Sequence, residues 1–254
     1  MEKHVTQYTL HLGDCLEVMP TIPDGSVDMI LCDLPYGTTA CAWDVVIPFE
    51  PLWKEYTRII KKSGAIVLTA SQPFTTDLIN SNRGWFKYLW VWDKAQSGSF
   101  HLAKYQPLRV TEDVAVFASH TIKYKPIMHK GKARIKGGSK RTNEVMKGLG
   151  SNHITVSDTY YPSNILRFPN CKNKEMNAHP TQKPIELMRY LISTYTNEGD
   201  TVLDNCMGSG TTGVAAVQLG CKFIGIEKEP RYFDIAQRRL KEAVAQPDLF
   251  LAAI

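Results

Sequence analysis

No run in the 254-residue chain approaches the roughly 20 apolar residues that a membrane-crossing helix requires. Nor is Met1-Glu2-Lys3-His4 followed by the apolar stretch of a secretory leader, so a cytoplasmic protein without membrane contact is expected. The six cysteines (Cys15, Cys32, Cys41, Cys171, Cys206, Cys221) include no Cys-x-x-Cys pair and no metal-ligand spacing. No bound metal is therefore expected, and thiols lying inside apolar runs fit reduced, buried small hydrophobes. Gly-Lys-Ser/Thr is absent, which excludes a P-loop. No internal repeat is visible. Acidic residues are scarce in one place: between 121 and 150 only Glu144 stands against nine lysines and arginines, so this segment alone makes a chain of formal net charge +5 basic.

What is present is a βαβ rhythm. Strands are expected over Tyr8 to Leu12, Val27 to Cys32, Ala65 to Ala70, Tyr88 to Trp92 and Val114 to Phe117, with a helix over Pro51 to Lys61. The near-continuous apolar runs Val27-Asp28-Met29-Ile30-Leu31-Cys32 and Ala65-Ile66-Val67-Leu68-Thr69 suit strands covered on both faces of a parallel sheet. From about Thr121 to Asp158 the periodicity fails and Gly, Lys, Ser and Asn dominate, as in an inserted loop region or small subdomain. The rhythm then returns with helix Ile185 to Thr194, strand Thr201 to Asn205, helix Thr211 to Leu219, strand Lys222 to Glu227 and helix Tyr232 to Ala245. Trp90, Trp92 and Phe117 are expected in the core.

Thr201-Val202-Leu203-Asp204-Asn205-Cys206-Met207-Gly208-Ser209-Gly210-Thr211-Thr212-Gly213 reads as strand, glycine turn and helix. Gly208, Gly210 and Gly213 satisfy G-x-G-x-x-G, and Glu227 closes the next strand about 20 residues on, where an acid holds ribose hydroxyls. A nicotinamide enzyme would show the same pattern. Asp204, just before the turn, tilts the balance: a carboxylate there opposes a pyrophosphate but suits the ammonium of a methionine moiety.

The strand Val27 to Cys32 ends in Asp33-Leu34-Pro35-Tyr36-Gly37, at the end of the sheet where open α/β folds bind ligands. Methylating an exocyclic amino group requires acceptors on its N–H groups, which draw the nitrogen towards a nucleophilic geometry and stabilise its developing charge. The Asp33 carboxylate and Leu34 carbonyl can supply them. Pro35 stiffens the turn, and Tyr36 offers a ring on which a flipped base could stack.

Together these residues resemble the amino-methyltransferases of DNA, whose catalytic signature is Asp/Asn/Ser-Pro-Pro-Tyr and whose cofactor turn is Asp-x-x-x-Gly-x-Gly-Thr-Thr. His179-Pro180-Thr181-Gln182-Lys183-Pro184 is similar to that family's third cofactor segment. Gly13-Asp14-Cys15 and Ser63-Gly64-Ala65 through Ala70 resemble supporting segments. The order, with the catalytic turn before the glycine turn, matches the permuted β-class. The resemblance implies a Rossmann-like α/β fold with a mostly parallel sheet and an inserted target-recognition region. It divides the chain into a catalytic half (1–120), a basic insert (121–160), a cofactor-binding half (161–245) and a tail (246–254). It implies that Asp33, Leu34, Pro35 and Tyr36 are catalytic, and that Asp14, Lys183, Asp204, Gly208, Gly210, Thr211 and Glu227 contact S-adenosylmethionine. Leu34 departs from the usual proline, at a position that supplies only a carbonyl. An initial Asp rather than Ser favours N6 of adenine over N4 of cytosine.

Double-stranded DNA is the implied partner, met by Lys130, Lys132, Arg134, Lys136, Lys140 and Arg141 of the insert. Trp43 and Asp44 follow the catalytic turn in a loop able to fold over the base. Gln246-Pro247-Asp248-Leu249-Phe250 resembles the short peptides that dock on bacterial sliding clamps, a folded-back helix tail being the alternative; a homodimer is a further expectation. Cytosine-C5 chemistry is disfavoured because no Pro-Cys pair is present to supply its nucleophilic thiolate. The competing readings are N4-cytosine methylation and, more distantly, a nicotinamide-dependent oxidoreductase. A restriction-modification setting is compatible with methylation of either base.

Overall fold

The apolar run beginning at Val27 forms a strand whose residues 27–32 are all buried, at the centre of an eight-stranded sheet. The structure is a computed structural model and describes residues 8–38, 41, 44–97, 100–136, 155–170 and 182–245. In chain order the elements are β1 (Tyr8–Leu12), α1 (Cys15–Val18), β2 (Val27–Asp33), α2 (Phe49–Ile59), β3 (Ile60–Ala70), α3 (Phe74–Ser81), β4 (Phe86–Asp93) and β5 (Thr111–Phe117). There follow β6 (His129–Lys136), β7 (Thr155–Tyr160), β8 (Ile165–Arg167), α4 (Ile185–Tyr195), β9 (Thr201–Asp204), α5 (Thr211–Gln218), β10 (Lys222–Glu227) and α6 (Pro230–Ala245).

The large sheet runs β1-β10-β9-β2-β3-β5-β4-β8, and only β5 is antiparallel to its neighbours. Alternate residues of each strand feed two cores. Met29, Leu31, Ala65, Val67, Val114 and Val116 pack with α4, α5 and α6 on one face. Ile30, Cys32, Ile66, Leu68, Ala115 and Phe117 pack with α1, α2 and α3 on the other. This is a three-layer α/β fold with a mostly parallel sheet. Trp90, Trp92 and Phe117 are buried, while Cys41 is exposed, unlike the buried Cys15, Cys32 and Cys221.

β9 and β2 are neighbours, yet from β9 the chain crosses through α5 to β10 on one side, and from β2 through α2 to β3 on the other. The strand order therefore reverses between them, and a crevice opens beyond their carboxyl ends. α2 runs into β3 without a loop, so Ile60 and Lys61, expected at a helix end, already belong to a strand.

The chain divides into a larger unit that runs to Tyr124 and resumes at Asn164, and a smaller unit, Lys125–Ser163. Of the loop region and the small subdomain expected there, the structure shows the second, with β6 and β7 paired antiparallel as a two-stranded ribbon whose strands the sequence does not announce. His-Lys-Gly-Lys-Ala-Arg-Ile-Lys lacks apolar alternation because β6 is solvent-exposed over 129–135, so periodicity carries no strand signal. Its cross-strand pair Ile135 and Val156 is 74% and 72% exposed. Lys130, Lys132 and Arg134 are exposed on β6.

Candidate active site

Three carboxylates end three adjacent strands: Glu227 ends β10, Asp204 ends β9 and Asp33 ends β2. All three line one cavity of about 570 Å³, shared with Asp14, Leu34, Pro35, Tyr36, Asp44, Glu112, Lys183, Gly208 and Thr211. Parallel pairing brings the three ends to one rim. The sequence separates them into two distant segments.

At the β2 end, Asp33 is held by three donors. Tyr36 donates its hydroxyl to Asp33 Oδ1 at 2.7 Å, Thr69 Oγ1 donates to the same oxygen, and Lys183 Nζ donates to Oδ2 at 2.6 Å. Thr69 can reach because β3 pairs with β2 in a register that sets it opposite Asp33. A carboxylate has about four acceptor positions, so one on Oδ2 remains for a further N–H donor. The Tyr36 ring stacks on Phe74 at 5.3 Å between centroids, and its hydroxyl also meets Thr69 Oγ1 at 3.0 Å. Burial and the neighbouring Asp33 charge push the Tyr36 phenol well above its ordinary range, so it stays a neutral donor. Burial pulls the Lys183 ammonium down, but the carboxylates of Asp33 and Glu112 outweigh it and hold the group above the usual lysine value. Beyond the turn, Asp44 accepts from the N–H groups of Gly37 and Thr38, both at 2.9 Å, which fixes the start of the loop.

At the β9 end, Gly210 adopts φ +79° and opens α5 directly after the turn. A Cβ there would stand 2.9 Å from both Ala236 Cβ and Leu240 Cδ1 of α6, so both the backbone and the packing require glycine. Asp204, 2% exposed, accepts from the Cys206 N–H at 3.1 Å, and burial pushes its carboxyl up to about 6. Glu227 accepts from Gly208 N–H and Glu229 N–H, both at 2.8 Å, and burial raises its carboxyl as well. Arg239 of α6 clamps the turn by donating to the Ser209 carbonyl at 2.6 Å and to Thr211 Oγ1 at 3.1 Å.

Asp14 caps α1 by accepting from Leu16 N–H at 2.8 Å and lines the same cavity. The residues named from the sequence as catalytic or cofactor-binding thus line one cavity, except Gly210, which acts behind it in the turn. Sequence reading missed Thr69, Glu112 and Arg239. Thr69 and Glu112 sit at strand ends whose partners depend on sheet order, and Arg239 lies on a helix among other cations. In the smaller unit, Arg134 lies 4.0 Å over the Tyr160 ring, His129 stacks on that ring at 5.6 Å, and Tyr160 donates to the Lys132 carbonyl at 2.7 Å. Lys140, Arg141, Trp43, His179, Pro180, Thr181 and the segment 246–250 lie outside the described residues, as does the Lys136 side chain. Among the described residues no group of three or more His, Cys, Asp or Glu is arranged to hold a metal ion, and no helix is long and apolar enough to cross a membrane.

Comparison with known proteins gives the family. A family model described as DNA methylase matches residues 27–238. The DNA adenine methyltransferase YhdJ of Escherichia coli (strain K12) is 31% identical over 92% of this chain and 83% of its own length. The type II methyltransferase M.HinfI of Haemophilus influenzae is 26% identical over 98% of this chain and 73% of its own. Among solved structures, the complex of M1.HpyAVI with SAM superimposes with a TM-score of 0.65 and 25% identity, covering 92% of this chain and 99% of that one. With a family model spanning both the turn at Asp33 and the turn at Gly208, the chain belongs to the DNA methylase family.

Proposed function

We propose that this chain transfers a methyl group from S-adenosylmethionine to N6 of adenine at a specific site in duplex DNA. The observation that carries the reading is the convergence of Asp33, Asp204 and Glu227 at the ends of adjacent strands around one cavity. The residues present fit the cofactor. Asp204 is a buried carboxylate raised to about 6, an environment that a cationic ammonium would relieve, and Glu227 accepts one N–H from the turn and one from Glu229 with acceptor capacity left for ribose hydroxyls. Asp204, Gly208, Thr211 and Glu227 would hold the cofactor, with Asp14 beside them; Gly210 shapes the turn that carries them. When bound, S-adenosylmethionine supplies an electrophilic methyl group on a sulfonium.

The chain's own part is positioning and electrostatics. Asp33 and the Leu34 carbonyl accept the two N–H groups of the substrate amine and stabilise positive charge growing on nitrogen, while Tyr36 meets the base, which reaches the cavity by leaving the duplex stack. Adenine is favoured over cytosine by the initial Asp of the turn and by the adenine specificity named for the 31% identical YhdJ. Lys130, Lys132, Arg134, Lys136, Lys140 and Arg141 contact phosphates, a role supported by the exposure of the first three on a basic ribbon. Lys183 is assigned here to Asp33 rather than to the cofactor alone, because its ammonium lies 2.6 Å from Oδ2. A cytoplasmic location, a dimeric state and docking of Gln246–Phe250 on a sliding clamp complete the reading, the last testable by deleting residues 246–254 and measuring clamp binding.

The decisive experiment is single-molecule sequencing of genomic DNA from cells expressing the chain, with Asp33→Ala as control. A new N6-methyladenine motif absent from the control is expected. N4-methylcytosine in its place would move the reading to cytosine, and no modified base at all would overturn it.

A further inference from the structure

Glu112 stands at the start of β5, and because β5 alone is antiparallel, its first residues reach the rim where the parallel strands end. Its Oε1 accepts from Lys94 Nζ at 2.9 Å. Its Oε2 is shielded from solvent and accepts no hydrogen bond among the described residues. The cation facing Oε2 is Lys183, whose Nζ lies 3.6 Å from it and 2.6 Å from Asp33 Oδ2. Four charges thus alternate in the order Asp33, Lys183, Glu112, Lys94, of which the first three line the cavity. The side chains of the last three are only 10%, 17% and 12% exposed. A buried acceptor without a donor is costly and rare, so this one asks for a physical reason.

We propose that Glu112 is a positioning residue that receives Lys183 when the substrate's amino group comes to Asp33. The ammonium moves from Asp33 Oδ2 to Glu112 Oε2 and so leaves that oxygen wholly to the incoming N–H, which otherwise shares it with Lys183. A displacement of about 1 Å turns the 3.6 Å contact into a hydrogen bond. Lys183 keeps a carboxylate partner in both positions, so no buried ammonium is left unpaired, and it remains a donor throughout, with no covalent bond formed or broken. Without an acceptor at Glu112, leaving Asp33 would strand the ammonium, and Lys183 would compete with the substrate for the same oxygen. The inference rests on the assignment of Asp33 to the amino group.

The test is single-turnover transfer of labelled methyl from S-adenosylmethionine to duplex DNA carrying the chain's own site. In Glu112→Gln the amide oxygen pairs with Lys94 and the NH2 group faces Lys183, so the position is closed while the size is kept. The single-turnover rate is expected to fall between about tenfold and about a hundredfold, with cofactor affinity by calorimetry within about twofold of wild type. In a Lys183→Met background, where there is no cation to move, Glu112→Gln should change the rate by less than about twofold. A Glu112→Gln rate within twofold of wild type overturns the proposal, as do losses that multiply in the double variant. If Glu112→Gln fails to fold, Glu112→Asp keeps the charge but withdraws the oxygen from Lys183, and an unchanged rate in it overturns the proposal equally. A wild-type chain that methylates no DNA overturns the functional reading itself, and this inference with it.

Discussion

One oxygen of Glu227 accepts the N–H of Gly208 at 2.8 Å, so the acid that ends β10 is tied to the turn that follows the neighbouring strand, β9. Its other oxygen accepts from Glu229 N–H at the same distance. A single carboxylate therefore holds the glycine turn from outside while leaving lone pairs towards the cavity. Glu227→Ala removes both bonds and leaves the Gly208 N–H without its partner. It is expected to weaken S-adenosylmethionine binding by at least about tenfold and to lower stability by about 1–3 kcal/mol. Isothermal calorimetry and a denaturant titration check the two numbers separately, and unchanged affinity removes Glu227 from the cofactor site.

Asp204 sets stability against binding. Its carboxyl in the folded chain, at about 6, lies above the ordinary 3.8, so between those values the folded chain holds a proton that the unfolded chain releases. Stability from this group is therefore present at low pH and lost as pH rises through the window, a cost of about 3 kcal/mol near neutrality. Asp204→Asn removes the charge and is expected to raise the melting temperature of the cofactor-free protein at pH 7.5, with a smaller gain at pH 5. The same variant should bind S-adenosylmethionine at least about tenfold more weakly, and the wild type should lose affinity as pH falls below about 6. Scanning calorimetry at the two pH values, with binding titrations beside it, tests both signs.

Gly210→Ala meets two obstacles together, a left-handed backbone at φ +79° and Ala236 and Leu240 at 2.9 Å. The expected destabilisation is about 2–4 kcal/mol, combining backbone strain with overpacking. Chemical denaturation measures it. A loss below about 1 kcal/mol would mean that α6 gives way easily and the turn is less constrained than its packing implies.

For DNA binding, the ribbon predicts salt dependence rather than sequence preference. Replacing Lys130, Lys132 or Arg134 by alanine should weaken binding to all duplexes alike and reduce the slope of log K against log salt by about one unit for each phosphate no longer neutralised. Fluorescence anisotropy across a salt series on matched and unmatched duplexes separates the outcomes. A variant that weakens only the matched duplex would make its residue a reader of bases. Arg134 is the one to watch, because its guanidinium is already engaged over the Tyr160 ring.

Much of this protein is readable from residues 27–33, 65–70 and 201–227, where local chemistry and fold agree. Strands buried on both faces must be apolar throughout, a glycine turn must place glycine where φ is positive, and an acid at a strand end breaks an apolar run visibly. These constraints are local, so the order of the two turns, the α/β class and the acids at the strand ends are all legible. The ribbon of β6 and β7 is not, because a two-stranded element in water needs no apolar face and its strands read as a charged loop. Nor can sequence tell that Thr69 and Glu112 reach Asp33's surroundings, since that depends on β3 pairing with β2 and on β5 running against its neighbours. Lys183 shows the division most plainly. The motif around it points to the cofactor segment, but only the packed fold brings it across 150 residues of chain to Asp33, where two carboxylates face one cation between them. The order of residues sets which groups are available; which of them share a cavity is decided by the sheet that buries them, because a buried charge finds its partner in space and not along the chain.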